Sequence, residues 1–148
     1  MTVSDVPLMR VVAGVILRDT AGRVLLVRRR DENTWGIPGG GLDPGESWSV
    51  AALRECREET GWTAHVDGLL GVYSDPATQM HGYPNGSRRH FVGVVLLATA
   101  MDHSGGQDGE AAELRWVTHD DLPTPLFAPD APVLDDYFDP AVNAPVVN

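Results

Sequence analysis

Three glutamates, Glu55, Glu58 and Glu59, crowd into one short stretch, with Arg54 immediately before them. Glu46 lies eight positions ahead of that arginine, just after the glycine run Gly39-Gly40-Gly41. On a helix, at about 100° per residue, the three carboxylates share an arc of roughly 100°, while Val50, Leu53, Cys56 and Thr60 take the opposing, core-facing side. Like charges at that spacing repel, and Arg54 alone cannot balance the set once Glu46 joins it. A hard divalent cation can. Mg²⁺, with Mn²⁺ as the alternative, prefers oxygen ligands and holds carboxylates together with a phosphate, and this many carboxylates accommodate more than one ion. Such ions neutralise charge building on phosphoryl oxygens and lower the pKa of bound water. The glycines allow close backbone approach, so that a carbonyl of Gly39 or Gly40 can reach an ion while the helix start faces phosphate. Taken alone, the helix is equally well explained as a solvated acidic face with an Arg54–Glu58 pair; the glycine run and Glu46 favour the metal reading.

The elements that must position these groups can be read from pattern. Ser47 can cap a helix running to about Thr60, and Gly61 can end it. Trp35 to Gly41, rich in glycine and broken by Pro38, cannot be a helix interior and reads as a shaped loop. Arg10–Arg18 and Arg23–Arg29 read as two strands joined by a turn at Asp19-Thr20-Ala21-Gly22. His65–Tyr73 is a further strand, then a polar loop spans Ser74 to Arg89. Phe91–Ala100 is apolar enough for a buried strand. After a loop from Asp102 to Gly109 come a short strand at Leu114–Val117, a helical turn near Asp120 and a short helix at Ala131–Phe138. The pattern predicts one α/β or α+β sandwich domain over 1–148, with its core at about 10–138 and a flexible tail at 139–148.

Composition narrows the partners. The 148 residues are 43% hydrophobic and carry a formal charge of −10, a field that repels nucleic-acid phosphates and anionic membranes. A small anionic ligand is less restricted, because a bound divalent cation reverses the local potential. The single cysteine, Cys56, excludes an intrachain disulfide framework and a multi-cysteine zinc site. The apolar run Val11–Leu17 is too short to span a membrane, so the expectation is a cytoplasmic protein with no membrane partner.

The residues from Gly40 to Trp62 resemble the signature box of the Nudix hydrolases. That box runs glycine, five residues, glutamate, seven residues, arginine-glutamate-apolar, one residue, glutamate-glutamate, one residue, glycine-apolar. Here Gly40, Glu46, Arg54, Glu55, Cys56, Glu58, Glu59, Gly61 and Trp62 fill every fixed place. Trp35-Gly36-Ile37-Pro38-Gly39 before the box and Glu113-Leu114-Arg115-Trp116 after it are also similar to the family. The resemblance implies an α/β fold, a Nudix-type α/β/α sandwich around a mixed β-sheet with a loop-helix-loop catalytic segment. It implies Mg²⁺-supported hydrolysis of a nucleoside diphosphate linked to another moiety, by water attack on phosphorus. It makes Glu55, Glu58 and Glu59 metal carboxylates, Gly40 a backbone ligand, and Glu46 and Arg54 site-organising residues. Glu58, Glu59 and Arg54 would then carry catalysis, joined by Glu110, since several relatives place a glutamate in that loop. Cys56, in an apolar place of the box and beside carboxylates that disfavour a thiolate, reads as core rather than nucleophile. The family often forms homodimers, and none is signalled by the chain itself.

For the substrate, ADP-ribose or another nucleotide sugar is favoured by the long loop before Phe91. Nucleoside-triphosphate clean-up, including an oxidised base, is the alternative, and a metal-dependent nucleotide sensor without turnover is a third reading. From the clusters Arg28-Arg29-Arg30 and Arg88-Arg89-His90, Arg28 and Arg88 are the candidate phosphate contacts; neither cluster indicates RNA decapping. Trp35 and Tyr83 are the candidate surfaces for a base, with Tyr73 and Phe91 behind them and Phe91 read as core. His81 and His90 read as loop or hydrogen-bonding residues.

Overall fold

A computed structural model describes residues 6–105 and 111–148. Glu110 lies outside the described residues. The sheet is mixed: β1 (Leu8–Arg18) runs parallel to β7 (Arg88–His103), whereas β7 is antiparallel to β5 (Trp62–Tyr73). On the far side of β1 lie β2 (Val24–Arg29) and β3 (Trp35–Gly36), both in antiparallel pairing. Three short strands complete the framework. β4 (Gly39–Gly41) pairs with β1, β6 (Met80–Gly82) with β7, and β8 (Ala111–Val117) with β2.

Both faces of the central strands are covered, which explains why they read as unbroken apolar runs. Val15, Leu17, Leu25, Val94 and Leu96 point to one side, where helix α1 (Trp48–Thr60) lays down Ala51, Ala52 and Cys56. Ile16, Val24, Leu26 and Val95 point to the other, where helix α3 (Ala131–Phe138) contributes Val133 and Leu134. The period of two therefore builds two cores from one sheet, the α/β/α sandwich expected. No helix among the described residues is long and apolar enough to cross a membrane.

Helix α1 begins and ends where its caps dictate. The Ser47 hydroxyl accepts from the Val50 amide at 3.2 Å, and Gly61 takes φ 78° at the C-cap, a conformation that costs glycine nothing. Its buried stripe is rotated from the expected one. Ala51 and Ala52 face the sheet and Val50 is exposed, because small side chains let the helix seat closely on the β-strands.

Two segments depart from expectation. Trp35 to Gly41 forms two short strands, β3 and β4, around Ile37-Pro38 rather than an unpaired loop. The tail does not fray: β9 (Val146–Val147) pairs in parallel with Gly71 and Val72 of β5, and the Ser74 amide donates to the Asn148 carbonyl at 2.7 Å. Gly71 makes this docking feasible, since a Cβ there would come within 2.6 Å of the Val146 carbonyl oxygen. The polar loop before Phe91 is also partly ordered, holding helix α2 (Pro76–Gln79) and β6.

Candidate active site

Arg54 is the organising centre of the acidic segment. Its guanidinium donates to both Glu46 carboxylate oxygens at 2.7 and 2.8 Å, to Glu55 at 2.9 Å, to Glu58 at 3.2 Å, and to the Gly41 carbonyl at 3.0 Å. Glu46 also accepts the Asp43 amide at 2.7 Å, closing the loop ahead of the helix. The Arg54 hydrogen bond, and after it the Asp43 amide, hold the Glu46 carboxyl at about 2, well below the ordinary carboxylate range. Arg54 is correspondingly driven further toward its charged form, chiefly by Glu46. This clamp fixes the edge of α1 against the glycine strand.

Close approach at that edge is visible in Gly40. A Cβ on Gly40 would stand 2.6 Å from the Glu55 carboxyl carbon and 2.8 Å from each carboxylate oxygen. The neighbouring Gly39 amide donates to Glu59 at 3.3 Å. Burial pushes the Cys56 thiol up to about 11, with Glu59 adding to the rise, so the thiol stays protonated among the core side chains.

Glu55, Glu59 and Gly39 to Gly41 form one wall of a cavity of about 610 Å³. Four of the chain's eleven cationic side chains, Arg10, Arg29, Arg30 and Arg89, line the same space. Tyr83, Phe91, Phe127, Gln79 and Asp130 also line it, together with aliphatic side chains such as Val27, Ile37 and Val94. The Arg89 guanidinium lies 5.0 Å from the centre of the Tyr83 ring, and that of Arg29 lies 4.5 Å from the Phe127 ring. Asp130 accepts the Ile37 amide at 3.0 Å; burial pushes its carboxyl up to about 7, opposed by that amide and by Arg29. In a chain of net charge −10, four arginines thus share one cavity with the carboxyl groups of Asp31, Glu55, Glu59 and Asp130.

The donor set suits a hard cation. Glu55 and Glu59 line the cavity beside the glycine backbone, whereas Glu58 is absent from its lining and has a side chain 42% exposed. Among the described residues no three His, Cys, Asp or Glu side chains converge as a metal-holding group. Arg54 bonds Glu55 and Glu58, and Glu59 accepts the Gly39 amide. Magnesium needs no such cage, since it is ordinarily held by one or two carboxylates and completes its shell with water and substrate phosphate.

Several expected substrate contacts lie elsewhere. Arg28 is absent from the cavity lining: it donates to Asn33 at 2.7 Å and approaches Glu113 at 3.5 Å, while the next residue, Arg29, lines the cavity. Arg88 is exposed and Arg89 takes the cavity side. Both differences are one-residue parity effects of a strand whose side chains alternate between faces. Trp35 is 4% exposed, belongs to the core on the α3 side and is covered by the Arg115 guanidinium at 4.5 Å. It pairs across the sheet with Arg28, so both lean the same way. Tyr83 does face the cavity. Phe91, read as core, also lines it. Arg10, Gln79, Phe127 and Asp130 carried no local signal, because they reach the cavity from three separate parts of the chain.

Comparison with known proteins agrees with this arrangement. The NUDIX domain profile matches residues 8–137. The chain belongs to the Nudix family. A relative from Bacillus subtilis (strain 168), named "Putative 8-oxo-dGTP diphosphatase", is 40% identical over 113 residues, covering 75% of this chain and 68% of its own length. An RNA pyrophosphohydrolase of Novosphingobium aromaticivorans is 45% identical over 125 residues, covering 74% of this chain and 78% of its own length. The crystal structure of a MutT NUDIX hydrolase from Burkholderia pseudomallei superposes with a TM-score of 0.70 at 31% identity, covering 86% of this chain and 96% of that one. The chain spans 64% and 58% of the length of two other curated relatives. As a Nudix hydrolase it is an enzyme, in a family that generally depends on divalent metal.

Proposed function

We propose that the chain hydrolyses a nucleoside diphosphate linked to another moiety, with ADP-ribose or another nucleotide sugar as the substrate class. One observation carries this reading: the acidic ledge of Glu55 and Glu59 and the arginines Arg10, Arg29, Arg30 and Arg89 share one cavity. Glu55, Glu58, Glu59 and the Gly40 carbonyl would hold Mg²⁺ or Mn²⁺, with more than one ion. When bound, such an ion neutralises charge on the phosphoryl oxygens and makes water a better nucleophile. The protein's own residues supply position. Arg54 and Glu46 keep the carboxylates at the helix edge from splaying, and the cavity arginines hold the diphosphate oxygens in line for attack. The reaction adds water across one P–O–P linkage, leaving a phosphate ester on each side.

The nucleotide-sugar assignment rests on the segment before Phe91. It folds Gln79, Tyr83 and Arg89 into the cavity wall and so extends the pocket beyond the room a diphosphate needs. The name of the Bacillus relative favours a second reading, removal of a damaged nucleoside triphosphate. The two give different products. ADP-ribose yields AMP and ribose 5-phosphate; a triphosphate yields a monophosphate and pyrophosphate. Purified protein is tested with Mg²⁺ or Mn²⁺ against nucleotide sugars, normal and 8-oxo triphosphates, and a 5′-triphosphate RNA, with product chromatography and an EDTA control. Metal-dependent release of a nucleoside monophosphate from a nucleotide sugar is the expected result. Cleavage of triphosphates or RNA ends alone would replace this substrate class, and no cleavage across the panel would overturn the enzymatic reading of this chain.

A further inference from the structure

Gln79 closes α2 and is 5% exposed, a buried amide that lines the same cavity as the acidic ledge. Its nitrogen Nε2 donates to the Pro129 carbonyl at 2.9 Å and to the Thr78 hydroxyl at 3.4 Å. A backbone carbonyl can only accept, so the amide cannot flip without placing two acceptors face to face. The orientation of Oε1 is thereby fixed. Among the described residues, the one side-chain polar atom sealed from solvent without a partner is Thr34 Oγ1. Gln79 Oε1 accepts no hydrogen bond from the described residues and is not such a sealed atom, so it keeps contact with solvent, and Gln79 is one of the residues that line the cavity. The same cavity is lined by Phe91 and Phe127, with ring centres 6.1 Å apart, and by Tyr83. A few fixed polar atoms in an otherwise aromatic wall are how pockets set ligand orientation.

We propose that Gln79 is a specificity-determining residue. Its fixed carbonyl oxygen accepts a hydrogen bond from the edge of the substrate's nucleobase and favours bases with an exocyclic amino group over analogues lacking it. The inference rests on the reading of the cavity as a nucleoside-diphosphate site. A buried acceptor left unpaired is costly, and a site built around one discriminates against ligands that cannot donate. Because Oε1 is not sealed from solvent in the free protein, the discrimination is moderate, about tenfold in kcat/KM.

Three matched pairs of nucleoside diphosphate sugars test this: adenine against unsubstituted purine, guanine against hypoxanthine, and cytosine against 2-pyrimidinone. The wild type should prefer the amino-bearing member of at least one pair by about tenfold. That preference should collapse to near unity in both Gln79→Leu and Gln79→Met. The ratio within a pair cancels any loss of folded protein or general damage to the wall, so a merely structural role would leave it unmoved. Wild-type ratios at unity in all three pairs, or a preference that survives both substitutions, overturn the proposal while leaving the hydrolase reading intact. If the wild type cleaves no member, the functional reading fails. Calorimetric Kd ratios for the same pairs then decide Gln79 on the same criterion, with absence of binding counting against it.

Discussion

Replacing Gly40 by alanine probes the narrowest point of the acidic ledge. The added Cβ would stand 2.6 Å from the Glu55 carboxyl carbon and 2.8 Å from its oxygens, whereas non-bonded atoms of this kind settle near about 3.5 Å. The carboxylate must therefore retreat by roughly 0.7–1 Å. It can do so, because it is the far end of a flexible side chain and Gly40 is an extended strand residue paired with Ala13. Stability should consequently stay within about 1 kcal/mol of wild type. Activity should not, since a displacement of about 1 Å in a reacting constellation costs on the order of 10²-fold. Gly39→Ala supplies the contrast. Its Cβ would meet the Ala13 carbonyl oxygen and the Gly14 Cα, each at 2.7 Å, and backbone cannot swing aside. That variant should lose about 1–3 kcal/mol and several degrees in Tm. Steady-state kinetics on the best substrate and urea unfolding of both variants decide the matter. Gly40→Ala turning over within about threefold of wild type would refute the placement of Glu55 at the reacting centre. Equal destabilisation of the two variants would refute the steric reasoning.

Arg54→Met should raise the Glu46 carboxyl from about 2 toward its usual 4.5, read by NMR titration. Because the folded-state value is depressed, the stability it contributes is present above about pH 4.5 and disappears as pH falls toward 2. The gap between wild type and Arg54→Met should shrink across that window; a gap constant down to pH 2 would show that the ion pair is not its source. Trp35→Ala should cost about 3–5 kcal/mol in urea unfolding, as expected for a core aromatic, and a variant of unchanged stability with a raised KM would return Trp35 to the ligand. Arg89→Gln should raise KM by about tenfold while Arg88→Gln leaves it near wild type; equal effects would contradict the strand parity.

How much was legible depends on whether neighbours in sequence were enough. Helix α1, its Ser47 and Gly61 caps and the gathering of Glu55, Glu58 and Glu59 at one edge follow from helical periodicity within a single turn or two. The Arg54–Glu58 pair belongs to the same class, as i,i+4 neighbours. The buried stripe of α1 was less legible. Its placement on Ala51 and Ala52 depends on how closely the helix sits on β1, a distance set by the sheet. The arginine clusters show a sharper failure. Sequence alternation says that adjacent residues point apart, yet only strand register says which one faces the cavity, and a slip of one exchanges Arg28 for Arg29 or Arg88 for Arg89.

The tail carries the same lesson. Val146 and Val147 offer little to pack locally, and their pairing with β5 depends on an open sheet edge and on the missing side chain of Gly71, 75 positions earlier. By itself the sequence determined the acidic character of the ledge, because residue type, charge and helical spacing are short-range properties written into Gly40 to Trp62. Only the tertiary structure decided what faces that ledge. Arg10, Gln79, Arg89, Phe127 and Asp130 reach one cavity because the order and register of strands bring distant segments together, and no local pattern encodes that convergence.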